Sequence, residues 1–354
     1  MDIVTHGLAS LAIARGLFPR TGKLAMAGAV LAGTIANLDW LSNYFGPSAS
    51  LRWQGTYTHS ILVAVLVSAG VSVFVAAQLR SMAVRLAEPV SDATLAVARS
   101  KGDLAIGLAP VLYVSLCAAL LHIAMDACQS RGVALIWPFS PKRFAADWLP
   151  GIDPWILTIL IACIALPELF HLVSSEIGAK TKKPRGQTGA IIGLALVLVY
   201  GGVRATLHSN VLALMQSRTF HGETPRRVKA FPEPLSPLAW HGVVETESAL
   251  NEIDVETASV GNFDPDSSLR LFKPAPSPAL EAARNTVAAR RFLVAAQIPK
   301  ASMEKTEAGY IVVLRDLRYA AAGETQQEIA ALIELDLNNK VTSEELVWAR
   351  DLRH

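Results

Sequence analysis

LAIGLAPVLYVSLCAALLHIAMD, residues Leu104 to Asp126, decides the architecture of this chain. Leu104 to Leu121 carry no charge and approach the roughly 20 apolar residues needed to cross a bilayer. The end of the stretch then turns ionisable at His122 and Asp126, spaced i,i+4 so that both side chains share one helix face. Ionisable groups next to lipid are costly and mark function there. The stretch therefore reads as a membrane helix with a chemically equipped end.

The same pattern extends outward. Ser60 to Leu79 and Gln187 to Val203 are also uncharged, Pro154 to Pro167 is a shorter run between Asp153 and Glu168, and Leu24 to Leu38 and Ile3 to Ala14 are shorter apolar runs. Together they predict about six membrane segments. The composition agrees: 52% hydrophobic residues and a mean hydropathy of +0.36 over 354 residues are too apolar for an ordinary soluble protein. Asp2 and His6 interrupt the first run, no basic stretch precedes it and Arg15 follows it, so it reads as mature protein and not as a cleaved signal peptide. A net charge of +2, without a basic stripe interleaved with aromatics, argues against nucleic-acid binding. Cys117, Cys128 and Cys163 lie in or beside the membrane segments, so disulfides are not expected to hold the fold.

Six crossings place alternate connections on opposite sides, and the lysines and arginines assign the sides. One side receives Arg15, Arg20, Lys23, Arg80, Arg85, Arg99, Lys101, Lys180, Lys182, Lys183 and Arg185; the other receives Arg52, Arg131, Lys142 and Arg143. The first side is expected to be cytoplasmic. Asp2, His6, Asp39, His59, His122 and Asp126 then all fall toward the extracytoplasmic face, at similar depth. After about His208 the long apolar runs stop and proline-rich turns such as Phe231 to Pro237 appear. The expected organisation is mainly α: a polytopic helical membrane domain over 1–208, a linker over 209–240 and a small soluble α+β domain over 241–354. In the last part, Arg291 to Ile298, Gly309 to Tyr319 and Glu328 to Leu337 read as strands, with turns at Glu307 to Gly309 and at Asn338-Asn339. Ala279 to Arg290 reads as a helix, giving a mostly antiparallel sheet with one or two helices on the extracytoplasmic side.

Neutral imidazole and ionised carboxylate are good donors for a divalent cation, and the lack of cysteine ligands argues against a structural thiolate zinc site. Asp2/His6 repeats the i,i+4 spacing of His122/Asp126, Asp39 ends one apolar run in Asn37-Leu-Asp-Trp40, and His59 precedes another in Tyr57-Thr-His-Ser60. The bland alternatives are a frayed terminus for Asp2/His6, helix-end solvation for Asp39, an interfacial histidine at 59 and a packing pair at 122/126. His171 has no carboxylate four residues away and reads as a packing histidine. Arg143, within Trp137-Pro-Phe-Ser-Pro-Lys-Arg-Phe144, suits either a phosphate or carboxylate group or a lipid headgroup.

These motifs carry a resemblance. Met1-Asp-Ile-Val-Thr-His6, Asn37-Leu-Asp39, Thr58-His-Ser60, His122-x-x-x-Asp126 and the Trp-Pro-Phe-Ser-x-x-Arg-Phe run resemble the YdjM-type membrane-bound metal-dependent hydrolases over roughly residues 1–160. Pro232 to Trp240 and Asp316-Leu-Arg-Tyr319 look like the soluble extension of longer members. The chain departs from the pattern at Asn37, where many relatives carry proline. The resemblance implies a multi-pass inner-membrane protein with His6, Asp39, His59, His122 and Asp126 as ligands of a divalent metal, zinc or manganese. His59, Asp126 and Arg143 are the expected catalytic residues, acting on an ester or phosphoester of a lipid or other amphipathic substrate. The competing reading is a transporter or partner-binding membrane protein in which the polar cluster is structural. The cytoplasmic halves of the helices, nearly free of ionisable residues, favour a one-sided site over a transport path.

Overall fold

The computed structural model describes residues 1–87, 108–176, 186–258, 263–319 and 328–353. The expected cytoplasmic cations Arg99, Lys101, Lys180, Lys182, Lys183 and Arg185 lie outside these residues. The chain divides into two compact units, one of Met1–Leu38, Gly55–Ala146 and Gly151–Gly202, the other of Asp39–Gln54, Asp147–Pro150 and Val203–His354.

The first unit is helical. Its helices are α1 (Ile3–Leu17), α2 (Gly22–Thr34), α4 (Ile61–Ala87), α5 (Leu108–Ala127), α6 (Pro154–Glu176) and the first part of α7 (Gln187–Gln216). Among the described residues, four helical segments are long and apolar enough to cross a membrane: Gly22–Phe45, Ile61–Gln78, Leu108–Ala127 and Gln187–Gln216. Two shorter apolar helices, Ile3–Leu17 and Pro154–Leu169, join them. Small residues let these helices approach closely, which in lipid is what makes packing favourable. Ala14, Ala25, Ala29, Ala32 and Ala118 form the centre of the core with Ile13, Val71, Val75, Val111 and Val114. Pro167, inside α6, has no N–H to offer the Cys163 carbonyl one turn back. Gly189 lies directly against that carbonyl: a Cβ there would stand 2.3 Å from it, and one at Gly193 would stand 2.9 Å from the Cys163 Cβ.

The second unit holds the 3-10 segment Ile35–Phe45 from Asp39 onward, the short helix α3 (Pro47–Trp53), the end of α7 and two antiparallel sheets. The first sheet has the order β1-β2-β3-β4, with β1 Arg227–Pro232, β2 Ala239–Glu245, β3 Ala249–Glu256 and β4 Leu269–Phe272. The second has the order β5-β6-β7-β8, with β5 Pro299–Lys305, β6 Gly309–Asp316, β7 Ile329–Asp336 and β8 Val341–Trp348. One face of the first sheet closes over Val211, Met215 and Phe220 with Trp240, Val244 and Ile253. Its other face puts Phe231, Val243 and Leu250 against Ile298 and Leu317. Helices α8 (Pro278–Arg284) and α9 (Val287–Ala295) cover the second sheet through Leu280, Ala283, Ala289 and Phe292.

Three details differ from the sequence reading. The stretch expected as a linker contains the last turns of α7, the whole of β1 and the start of β2. The helix expected over Ala279 to Arg290 is interrupted at Asn285-Thr286, because the Thr286 side chain accepts from Ala289 N and starts a new helix. Arg291 to Ala295, read as the beginning of a strand, belongs to that helix, which buries Ala288, Ala289 and Phe292 on one face.

An ion-pair corner ties the turn before β1 to the first sheet. Glu223 accepts from Ser248 Oγ at 2.5 Å and from Ser248 N at 3.0 Å, and Arg270 donates to the same carboxylate. The Ser248 bonds hold the Glu223 carboxyl down from 4.5 to about 2. A carboxyl depressed in the fold stabilises it above the unfolded pKa and loses that contribution as pH falls through the folded one. Replacing Glu223 by Gln is thus expected to lower protection of the β3 and β4 amides in hydrogen exchange at pH 7. The difference from the wild type should close between pH 4.5 and about 2.

Candidate metal centre

Four polar side chains converge within the first unit, and each is delivered by a local rule. Asp2 caps α1, accepting from Val4 N at 3.0 Å, Thr5 N at 2.9 Å and Thr5 Oγ1 at 2.5 Å. The carboxylate is committed to the helix end and starts α1 so that His6 faces inward, 1% exposed. Ser60 caps α4, its Oγ accepting from Val63 N at 3.2 Å, which fixes His59 in the residue just before the helix. The Gly55–Ser60 loop is held from the other side: Ala134 N donates to the Gly55 carbonyl at 2.8 Å and Ile61 N to the Leu135 carbonyl at 3.1 Å. The last turns of α5 supply His122 and Asp126, 2% and 8% exposed.

Asp126 is the hub. His6 Nε2 lies 3.0 Å from its Oδ1, while His59 Nε2 and His122 Nε2 lie 3.0 and 3.3 Å from its Oδ2. His122 Nε2 and His59 Nε2 are 3.2 Å apart, and the His6 and His122 rings stack with centroids 3.7 Å apart. Gln129 Nε2 donates to Asp126 Oδ1 at 2.5 Å, and the α-ammonium of Met1 donates to the same oxygen.

The arrangement fits a cation. Ligand atoms of His6, His122 and Asp126 all lie within 4.8 Å of one another and are buried, so this cluster could hold a metal ion. Two ligand atoms about 2.0–2.1 Å from a tetrahedral zinc are themselves ~3.3 Å apart. Around Asp126 Oδ2 the separations of 3.0 Å to His59 Nε2, 3.3 Å to His122 Nε2 and 3.2 Å between those two nitrogens are edges of that size, while His6 Nε2 approaches the other oxygen, Oδ1, at 3.0 Å. Hydrogen positions point the same way. A carbonyl only accepts, so His122 Nδ1, 2.7 Å from the Gly33 carbonyl, carries the hydrogen, and in the neutral ring Nε2 presents a lone pair to the centre. His59 Nδ1 pairs with the Thr58 hydroxyl at 2.9 Å, a group that can donate or accept.

Two further expected residues, Asp39 and Arg143, are placed as follows. Asp39 belongs to the second unit, half-buried on the 3-10 segment. Arg143 is half-buried in the loop after α5, where its guanidinium donates to Thr56 Oγ1 at 3.0 Å, three residues before His59. Gly132, at φ +68°, lets that loop double back: a Cβ there would stand 2.7 Å from the Phe144 carbonyl. Gln129 and the Gly33 carbonyl were not among the residues expected. The Asp126-x-x-Gln129 spacing, one helical turn, was the available signal for the first; a backbone carbonyl leaves none.

No curated protein and no solved structure matches the chain. A family model described as YdjM inner membrane protein matches residues 1–211, which include the whole His6, His59, His122 and Asp126 cluster. The chain belongs to the YdjM inner membrane protein family.

Proposed function

We propose that this protein is a membrane-embedded, metal-dependent hydrolase that cleaves an ester or phosphoester in a lipid or other amphipathic substrate. The observation that carries the reading is the buried convergence of three imidazole Nε2 atoms on the two oxygens of Asp126. His6, His59, His122 and Asp126 would hold the ion, zinc or manganese. A bound divalent ion supplies a water of lowered pKa and polarises a carbonyl or phosphoryl oxygen. The chain's own groups do the rest. Gln129 and the Gly33 carbonyl hold Asp126 and His122 in their ligating orientation. His59 and Asp126, which lie against each other at 3.0 Å, are the groups placed to take the proton that the attacking water loses and return it to the departing alkoxide, the one that does so not serving as a ligand in that step. Arg143, anchored on the loop that carries His59, orients the acidic group of the substrate. The distribution of lysine and arginine supports an extracytoplasmic orientation for this centre and for the C-terminal sheets.

The test is metal content and turnover of the detergent-purified full chain. Near-stoichiometric zinc or manganese, together with hydrolysis of ester or phosphoester probes that a chelator abolishes and the metal restores, is the expected result. Metal without turnover would favour the transporter or partner-binding reading, and a wild type that takes up no divalent ion would remove the ligand assignment.

A further inference from the structure

We infer that Gly33 is a positioning residue for the metal centre: its carbonyl sets which nitrogen of His122 is presented, and the absence of a side chain keeps that carbonyl in place. This inference rests on the reading of the cluster as a metal centre and adds to it a residue that bears no ligating side chain.

Gly33 lies in the last turn of α2, just before the chain continues as the 3-10 segment from Ile35. The partner it finds is His122 Nδ1, at 2.7 Å, from α5. That bond orients the ring and leaves Nε2 facing His59 and Asp126 at 3.2 and 3.3 Å.

The residue type follows from close approach and not from conformation, since Gly33 sits in a regular helix. A Cβ at this position would stand 1.9 Å from Ser10 Oγ, 3.0 Å from Ser10 Cβ and 3.4 Å from Ala118 Cβ. Ser10 Oγ is not a loose end: it is fully buried and donates to the His6 carbonyl at 2.7 Å. Its neighbour across the contact, Ala118, precedes His122 by one helical turn. A side chain at 33 therefore pushes on the helix of His6 and the helix of His122 together, and pulls its own carbonyl away from Nδ1. An ordinary packing glycine would affect stability alone. A positioning glycine affects the affinity of the ion.

The experiment is a zinc titration, against a chromophoric chelator, of the full chain in detergent as wild type, Gly33→Ala, Ser10→Ala and the double variant. Loss of an outer-shell partner commonly costs 10–100-fold in metal affinity. Gly33→Ala is expected to weaken zinc binding by about that factor, and adding Ser10→Ala, which deletes the 1.9 Å clash, to recover most of the loss. Zinc affinity equal to wild type in Gly33→Ala, or a loss that Ser10→Ala does not relieve, overturns the inference. A second measurement does not depend on any variant at position 33 folding. In histidine 15N spectra of the zinc-loaded wild type, assigned by difference from His122→Ala, His122 Nδ1 should carry the proton. A deprotonated Nδ1 would overturn the inference as well. A wild type that binds no zinc sinks the metal reading itself, and is distinct from a wild type that binds zinc with Gly33→Ala unchanged, which sinks only the role of Gly33.

Discussion

Asp126→Ala is expected to lower metal affinity of the full chain by roughly two to four orders of magnitude and to remove any metal-dependent turnover with it. The reason is the number of groups that share this carboxylate. His6, His59 and His122 all approach it within 3.3 Å, and the Met1 ammonium and the Gln129 amide donate to the same oxygen. Removing one partner from a buried charged arrangement typically costs about 3–5 kcal/mol, which corresponds to the stated loss. Asp126→Asn is the sharper comparison, because it keeps the shape and one acceptor oxygen while losing the charge. If the carboxylate matters as an anion, Asn should fall nearly as far as Ala in a zinc titration. Wild-type affinity in Asp126→Asn would instead show that the ion does not need the charge of Asp126. Gln129→Met, which deletes one donor to Asp126 and no ligand atom, should cost no more than about the 10–100-fold of an outer-shell change.

Trp240→Ala is expected to destabilise the second unit by about 3–5 kcal/mol, the range for deleting a large buried aromatic. Trp240 is fully buried in β2, opposite Pro232 and Val255, with the Arg204 guanidinium 4.1 Å above its ring and His208 packed at 5.3 Å. Truncation leaves a cavity beside Met215 and strips the arginine of its aromatic face. Hydrogen exchange of the full chain reads this locally: β2 and β3 amides should lose about two to four orders of magnitude of protection, while β6 and β7 change little. Among the described residues the indole Nε1 has no hydrogen-bond partner. Trp240→Phe deletes that donor and keeps most of the volume, so it should cost far less. Equal losses for Ala and Phe would show that the indole, and not its bulk, holds the sheet.

The centre was legible in large part because membrane helices make ionisable residues conspicuous. His122 and Asp126 could be placed on one face by spacing alone, and His6 and His59 stood out against their apolar surroundings. Asp2 shared that conspicuousness for a different reason: an acidic residue immediately before an apolar helical run is a helix cap. The first sheet was far less visible. Strand β2 is buried at every interior position, from Trp240 to Val244, because both faces of its sheet are covered, so the alternation that announces a half-buried strand is missing. The same argument explains α9, whose Arg-Phe-Leu-Val stretch resembles a strand in composition and is made helical by the Thr286 cap and by Ala289 and Phe292 packing on the second sheet. By contrast β6 and β7 carry β-branched residues between clear turns and were readable as they stand.

The second unit is gathered from three separated stretches of chain, and α3 near the beginning packs on β8 near the end. Asp147, between them, receives Lys229 Nζ at 2.7 Å and Gln297 Nε2 at 2.8 Å. Such a unit cannot be completed in the order in which a ribosome delivers it. Residues 39–54 therefore cannot find their place in it until β8 has been made. A fragment starting at 209 would lack both early stretches, and a premature stop before β8 would leave α3 without its partner.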